Sequence, residues 1–458
     1  MEPAKTDGKW HRDNPLSRIV SVALATGRAI LRQRAGWEDT SPSGPVGLLQ
    51  SCADLVEHRG EASGLALAEH ILDAYETLRP EEQLSFFQGL ATDFLIDNQR
   101  LSQAIADCQA SLAPDQLDDL RRALEPRCNR LFRRLNQVPG ATGRLVKLRG
   151  DLIKHEQHDS ALKVLDDDLR RLLLIWFNLG FLTLRRISWD SSASILEKFI
   201  AYEAVHEIQG WADLRSRLKE DRRLFAYFHP AMPDDPIIFV EVALSRGSNS
   251  AIGPLVDLER RVNNPETCDT ATFYSISNCH PGLRGIYFGN FLIKQVASEL
   301  RHELPHLKRF ETLSPVPGFR PWVNSALQGE VDHKLPEPVW DRLVTYLEDM
   351  DDDFASNPLM EDTLRPLCAH YLLKEKRGVQ PVDPVARFHL SNGALLDRVN
   401  WCGDQSDMGL QRSFGLMVNY VYEPEEIENR HEAYFAQGRV AASAPVQELA
   451  AALLGGKG

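Results

Sequence analysis

The chain has 458 residues, enough for two or three domains with separate cores. Its 43% hydrophobic and 26% charged content is ordinary for a soluble globular protein. A formal charge of −13 argues against nonspecific nucleic-acid binding, which needs a basic face.

Near the start, "SRIVSVALATGRAILRQR" (Ser17 to Arg34) is basic and amphipathic, and Glu2, Asp7 and Asp13 precede it. An ordinary helix fits better than a transit peptide, and no secretory signal is visible. Seven scattered cysteines without C-x-x-C suit free thiols in a reducing compartment. The expected location is cytoplasmic.

From Pro45 to about Leu174 apolar residues recur every three or four positions, as in "LALAEHILDAYETL" (Leu65 to Leu78) and "DQLDDLRRALEPRCNRLFRRL" (Asp115 to Leu135). In the second, Leu117, Leu120 and Leu124 form one stripe. Asp166, Asp167 and Asp168 are contiguous, as are Asp351, Asp352 and Asp353. Neighbours on a helix diverge, so both runs read as solvated helix faces or ends rather than metal sites. "LLLIWFNLGFLTL" (Leu172 to Leu184) is shorter than the ~20 residues of a membrane span and is bracketed by arginines. It reads as a buried helix, with no membrane partner expected.

After about Gly180 strand-like stretches appear: "PIIFVEVALSR" (Pro236 to Arg246), "DTATFYSIS" (Asp269 to Ser277), "FHLSNGALLDRVNW" (Phe388 to Trp401) and "FGLMVNYVY" (Phe414 to Tyr422). Helical stretches intervene at Phe291 to Leu304, Val339 to Met350 and Leu359 to Lys374. The expected class is α+β: an all-α helical bundle over 1–180, then a mixed α/β domain over 181–458.

"HELPH" (His302 to His306) spells the H-E-x-x-H of zinc proteases. Pro305 decides against that reading. Proline inside a helix costs roughly 3 kcal/mol and pushes the preceding residue out of helical geometry. The helix should end near Leu304, and no metal is expected. Its other end is more informative. A strand enters a loop holding Gly282, Gly285 and Gly289, and a helix starts near Asn290. Unpaired N–H groups there, with Arg284, suit an anion such as phosphate; a plain strand-to-helix connection fits the spacing as well.

Four segments, "GLRGIYFGNFLIKQV", "LSPVPGFRPW", "DPVARFHLSNGALLDRVNW" and "GLMVNYVY", resemble the malonyl-CoA decarboxylase family in the same order. The resemblance implies conversion of malonyl-CoA to acetyl-CoA and carbon dioxide with no cofactor, CoA being part of the substrate. It implies an N-terminal helical domain for self-assembly into a homo-oligomer, commonly a tetramer, and a GNAT-like catalytic domain. It assigns the catalytic serine of L-S-P to Ser314 and the catalytic histidine of F-H-L-x-N-G to His389. The substrate's pyrophosphate loop is matched by Arg284, Gly285, Ile286, Tyr287, Phe288, Gly289 and Asn290, with Ile293 on the following helical turn. Ser275 and Tyr422 match further active-site positions. Tyr287 departs from family members that carry an acidic residue there, so no carboxylate role transfers.

Losing carbon dioxide leaves charge on a thioester enolate, which wants a preorganised donor and a proton source. His389, with an ordinary pKa of ~6.5, is expected to exchange a proton near neutrality. A CoA-dependent acyltransferase and a silent CoA-binding protein remain as alternatives.

Overall fold

In the N-terminal region the helices begin where the sequence supplies a start. The computed structural model describes residues 15–32, 44–58, 60–110, 112–156, 159–286, 288–331, 340, 344 and 358–453. Helices α1 (Pro15–Arg32), α2 (Gly44–Glu57), α3 (Glu61–Glu76), α4 (Pro80–Asp93) and α5 (Asn98–Ala110) come first. Then follow α6 (Pro114–Ala123), α7 (Arg127–Leu135), α8 (Ala141–Glu156) and α9 (Leu162–Trp176). Pro80 and Pro114 open their helices at the position where a missing N–H costs nothing. The apolar spacing then decides which side is buried: Leu67, Ile71, Leu72 and Tyr75 in α3, and Leu162, Leu165, Leu169 and Leu172 in α9.

Two expectations for this region fail for local reasons. The stretch from Asp115 to Leu135 is two helices, because Pro126 caps the second and cannot continue the first. Leu117 and Leu124 consequently lie exposed. The run from Leu172 to Leu184 is likewise not one buried helix. The helix stops at Trp176, Asn178 caps a short 3-10 turn, and Ile175 and Phe181 face solvent. The three aspartates diverge as expected, but the face is not a solvated one: Asp166 and Asp168 are buried and pair with Arg149 and Arg171, while Asp167 pairs with Arg170. Asp351 to Asp353, and nearly all of the helix expected from Val339, lie outside the described residues.

The chain divides into two compact units. One comprises Met1–Thr183 with Phe228–Asp235 and His280–Ile286; the other comprises Leu184–Tyr227, Pro236–Cys279 and Tyr287–Gly458. The strands are β1 (Thr183–Ile187), β2 (Arg222–His229), β3 (Met232–Ser245), β4 (Thr270–Asn278), β5 (Arg309–Thr312) and β6 (Ser314–Pro315). A small hairpin, β7 (Lys376–Arg377) and β8 (Gln380–Pro381), precedes β9 (Leu395–Asn400) and β10 (Met417–Val421). Among the described residues the main sheet runs β1-β2-β3-β4-β5-β10-β6, with β9 also on β10. From Pro236 onward β3 is buried on both faces, which is why it reads as a near-continuous apolar run.

Between these strands lie α10 (Ala193–Tyr202), α11 (Trp211–Arg217), α12 (Gly253–Val256), α13 (Gly289–Glu303) and α14 (Phe319–Leu327). The last helices are α15 (Pro358–Lys374), α16 (Pro384–Ser391), α17 (Asp407–Ser413), α18 (Ile427–Gln437) and α19 (Ala444–Ala452). Strands β4 and β5 are parallel neighbours joined through α13, the connection a parallel pair requires. Among the described residues no helix is long and apolar enough to cross a membrane.

Candidate functional site

Ser314 is placed by an interrupted strand. Strand β10 pairs with Glu311 on one side of Leu313 and with Ser314 and Pro315 on the other. Leu313 turns its N–H to Phe273 O at 2.9 Å. Side chains two apart in extended chain share a face, so Thr312 and Ser314 meet, and Ser314 Oγ donates to Thr312 Oγ1 at 2.9 Å. Thr312 Oγ1 also accepts from Tyr420 N at 3.3 Å, and its carbonyl accepts from Asn419 Nδ2 at 2.9 Å. Thr312 is therefore fixed at both its hydroxyl and its carbonyl.

His389 lies on helix α16 and not on the strand its apolar neighbours suggest. Asp383 caps that helix, its Oδ1 accepting from Val385 N and Ala386 N at 2.9 and 2.8 Å, and Pro384 occupies the first turn. The helix closes at Asn392 and Gly393. Gly393 has φ +81°, and a Cβ there would meet Ile427 O at 2.1 Å. His389 thus sits in the last turn, with Nε2 3.0 Å from Ser314 Oγ and Nδ1 2.8 Å from Tyr422 Oη. Its ring stacks on Tyr420 at 4.5 Å between centroids. Tyr422 follows β10 and is held by donation of its N–H to Phe310 O at 2.9 Å.

With the one Ser314 hydroxyl proton directed to Thr312, the proton between Ser314 and His389 is assigned to Nε2. Nδ1 then accepts from the Tyr422 hydroxyl. Burial pushes His389 down to about 3 and holds the Tyr422 phenol well above its ordinary value. The free site therefore holds a neutral imidazole. This departs from the expectation of titration near neutrality, because desolvation disfavours the imidazolium and no carboxylate offsets it.

Ser275 belongs to a different cluster. Its hydroxyl donates to the Glu203 carboxylate, with the two oxygens at 2.8 and 2.7 Å. Glu203 also accepts from Ser277 Oγ at 3.2 Å and from the N–H groups of Val205 and His206. Across β3, Glu241 stands opposite Ser275 and pairs with Arg217, which forks onto Asp213. Burial raises Glu241 to about 7, with Arg217 opposing and Glu203 adding to the rise.

In the loop, Arg149 donates to the carbonyls of Gly282 and Arg284 at 2.7 and 2.8 Å. Gly282 has no room for a side chain, since a Cβ would lie 1.8 Å from Val146 O. The Arg284 side chain is exposed. Gly285 has φ +79°, which glycine tolerates best. Ile286 and Phe288 are buried, and Tyr287 lies outside the described residues. Gly289 and Asn290 open α13. Ile293 is a core residue on its apolar stripe with Leu292, Val296 and Leu300. At its far end α13 stops at Glu303, before Pro305. Glu303 pairs with Arg223 and Arg186, and His306 Nε2 is 3.0 Å from Pro265 O. Among the described residues no three His, Cys, Asp or Glu side chains converge as metal ligands would.

Residues 180–455 match the family model of the malonyl-CoA decarboxylase C-terminal domain, and residues 94–177 match that of the N-terminal domain. The chain belongs to the malonyl-CoA decarboxylase family. It is 32% identical to the mitochondrial malonyl-CoA decarboxylase of Anser anser anser, over 92% of this chain and 93% of that protein. The mitochondrial malonyl-CoA decarboxylase of Rattus norvegicus is 32% identical over 87% of this chain and 85% of its own length. The crystal structure of malonyl-CoA decarboxylase from Rhodopseudomonas palustris superposes with a TM-score of 0.85 at 44% identity, over 89% of this chain and 100% of that one. That from Agrobacterium vitis gives 0.82 at 45% identity, over 88% and 99%.

The family's motif segments thus bring Ser314, His389 and Tyr422 into one hydrogen-bonded chain, while Ser275 bonds elsewhere. Three neighbours escaped sequence reasoning. Thr312 and Tyr420 each stand two residues before a motif residue on extended chain, a spacing that could have exposed them. Asp383 begins a D-P pair, the mark of a helix start.

Proposed function

We propose that this malonyl-CoA decarboxylase family member converts malonyl-CoA to acetyl-CoA and carbon dioxide, with Ser314 and His389 as its catalytic pair. The observation that carries the reading is the buried 3.0 Å contact between Ser314 Oγ and His389 Nε2, formed by residues 75 positions apart. The bond from the α-carbon to the carboxylate breaks, and its electron pair delocalises onto the thioester oxygen. The pair holds that oxygen and supplies a proton to the α-carbon, and one proton is taken up from solvent per turnover. His389 is neutral beforehand, so the anion developing beside it is what raises its proton affinity. Both tasks fall to side chains, and the reaction so drawn needs no metal.

The N–H groups at the start of α13 suit the CoA pyrophosphate. The parallel β4–α13–β5 arrangement supports a GNAT-like catalytic domain. The N-terminal helices we assign to self-assembly.

The test is acetyl-CoA formation by EDTA-treated protein, with Ser314→Ala and His389→Asn alongside. Loss of roughly 10²–10³ in kcat for each is expected. Full turnover in both variants would sink the assignment, and loss of turnover on EDTA treatment, restored by added metal, would sink the metal-free course.

A further inference from the structure

Asp383 is 1% exposed and carries more than a helix cap requires. Its Oδ1 satisfies Val385 N and Ala386 N at the start of α16, the helix of His389. Its Oδ2 reaches across to accept from Gly318 N at 3.2 Å. Gly318 ends the L-S-P-V-P-G turn that begins at Leu313, holds Ser314 and leads into α14. Its backbone stands in a crowded place: a Cβ there would lie 2.4 Å from Tyr371 Oη and 3.2 Å from Asp383 Oδ2. One carboxylate thus ties together the two segments that deliver Ser314 and His389.

We propose that Asp383 is a positioning residue that sets the separation of Ser314 and His389 by tethering α16 to the turn after Ser314. This rests on the reading of that pair as catalytic. An ordinary cap needs a single oxygen; the second, spent on a backbone N–H from another segment, is what a tether adds.

The test separates tether from cap. Asparagine and serine both keep a capping oxygen. In Asp383→Asn an amide nitrogen can face Gly318 N–H, and in Asp383→Ser the side chain is too short to reach it. Thermal midpoints within about 4 °C of the parent are expected. The kcat for malonyl-CoA should fall roughly 10- to 100-fold, with KM changed by less than about twofold, as for a displaced catalytic group. Parental kcat in both variants overturns the proposal. Gly318→Ala attacks the tether from its other end and guards against misfolding of the first variants. It should lower kcat similarly, and in combination with Asp383→Asn it should add little; fully additive losses overturn the tether. Ser314→Ala and His389→Asn are assayed in the same series. Turnover surviving in those two removes the pair and the tether with it. Turnover lost in them but retained in the Asp383 variants removes the tether alone.

Discussion

From Thr312 through Ser314 and His389 to Tyr422, the linked buried side chains are uncharged and joined in single file. Around Ser275 they are charged and branched, Glu203 gathering two hydroxyls and two N–H groups while Glu241, Arg217 and Asp213 pair alongside. Both clusters lie in the sheet-bearing unit, and both serines sit at extended-chain positions. What differs is how firmly each proton is committed. A carboxylate partner holds the Ser275 proton, and moving it would strand a buried charge. Each link of the Ser314 chain is a neutral hydrogen bond of modest strength, so a charge arriving with substrate can rearrange it. The first plan leaves its protons free to rearrange, as the proposed function requires, and the second holds them in place.

The largest effect expected from this contrast is on the architectural side. Glu203→Gln replaces one acceptor oxygen by a donor amid four donors, and should cost about 2–4 kcal/mol of stability. Its kcat should stay within about threefold of the parent. Chemical denaturation and steady-state kinetics on one preparation decide it. A hundredfold loss of kcat at unchanged stability would reverse the roles of the two clusters.

The next effect concerns pH. His389 is held at about 3 in the folded protein, below the ~6.5 of an unfolded chain. On acidification the unfolded state takes up its proton first, so this contribution to stability is complete above ~6.5 and is lost progressively toward pH 3. The stability of the parent relative to His389→Asn should therefore drop by ~2 kcal/mol between pH 7.5 and pH 5. Parallel denaturation curves at both pH values check this; a constant gap means that the imidazole is not depressed.

How much of this could be read beforehand follows from the range of each signal. Pro305 acts on its own helix, so the end of α13 and the failure of HELPH were legible. Pro126 acts as locally, yet the leucine spacing on either side masked the break it makes. The motif resemblance points to His389, but the strand-like "ALLDRVN" just beyond it hides the helix that Asp383-Pro384 starts. Glu203 carries no motif and lies 72 positions from Ser275. Only the fold brings them together, so nothing in the sequence could pair them.

Within the neutral chain, Tyr422→Phe comes next. It removes the donor to Nδ1 and leaves the ring stacked on Tyr420. One hydrogen bond of ~1 kcal/mol corresponds to roughly a five- to tenfold change in rate, so kcat should fall by about that factor. A ¹⁵N spectrum of labelled histidine should show the Nε2–H tautomer diminished. A drop as deep as that of His389→Asn would mean that Tyr422 touches the reacting atoms rather than orienting the ring.

The smallest effect should come from the other end. Thr312→Val keeps the shape of the side chain and deletes the acceptor for Ser314. The Ser314 proton then has one partner left, Nε2, and the imidazole must shift its own proton to Nδ1 to accept it. That shift turns Tyr422 from donor to acceptor, which its hydroxyl allows without loss of the bond. The chain reverses direction and stays intact. A fall in kcat of roughly two- to fourfold is expected, with stability lower by about 1 kcal/mol because Tyr420 N also loses its side-chain acceptor. If Thr312→Val instead costs as much as Ser314→Ala, the direction of the protons is itself required for turnover. The Thr312 end would then be part of the chemistry, and the adaptable chain drawn here would be as rigidly committed as the cluster around Glu203.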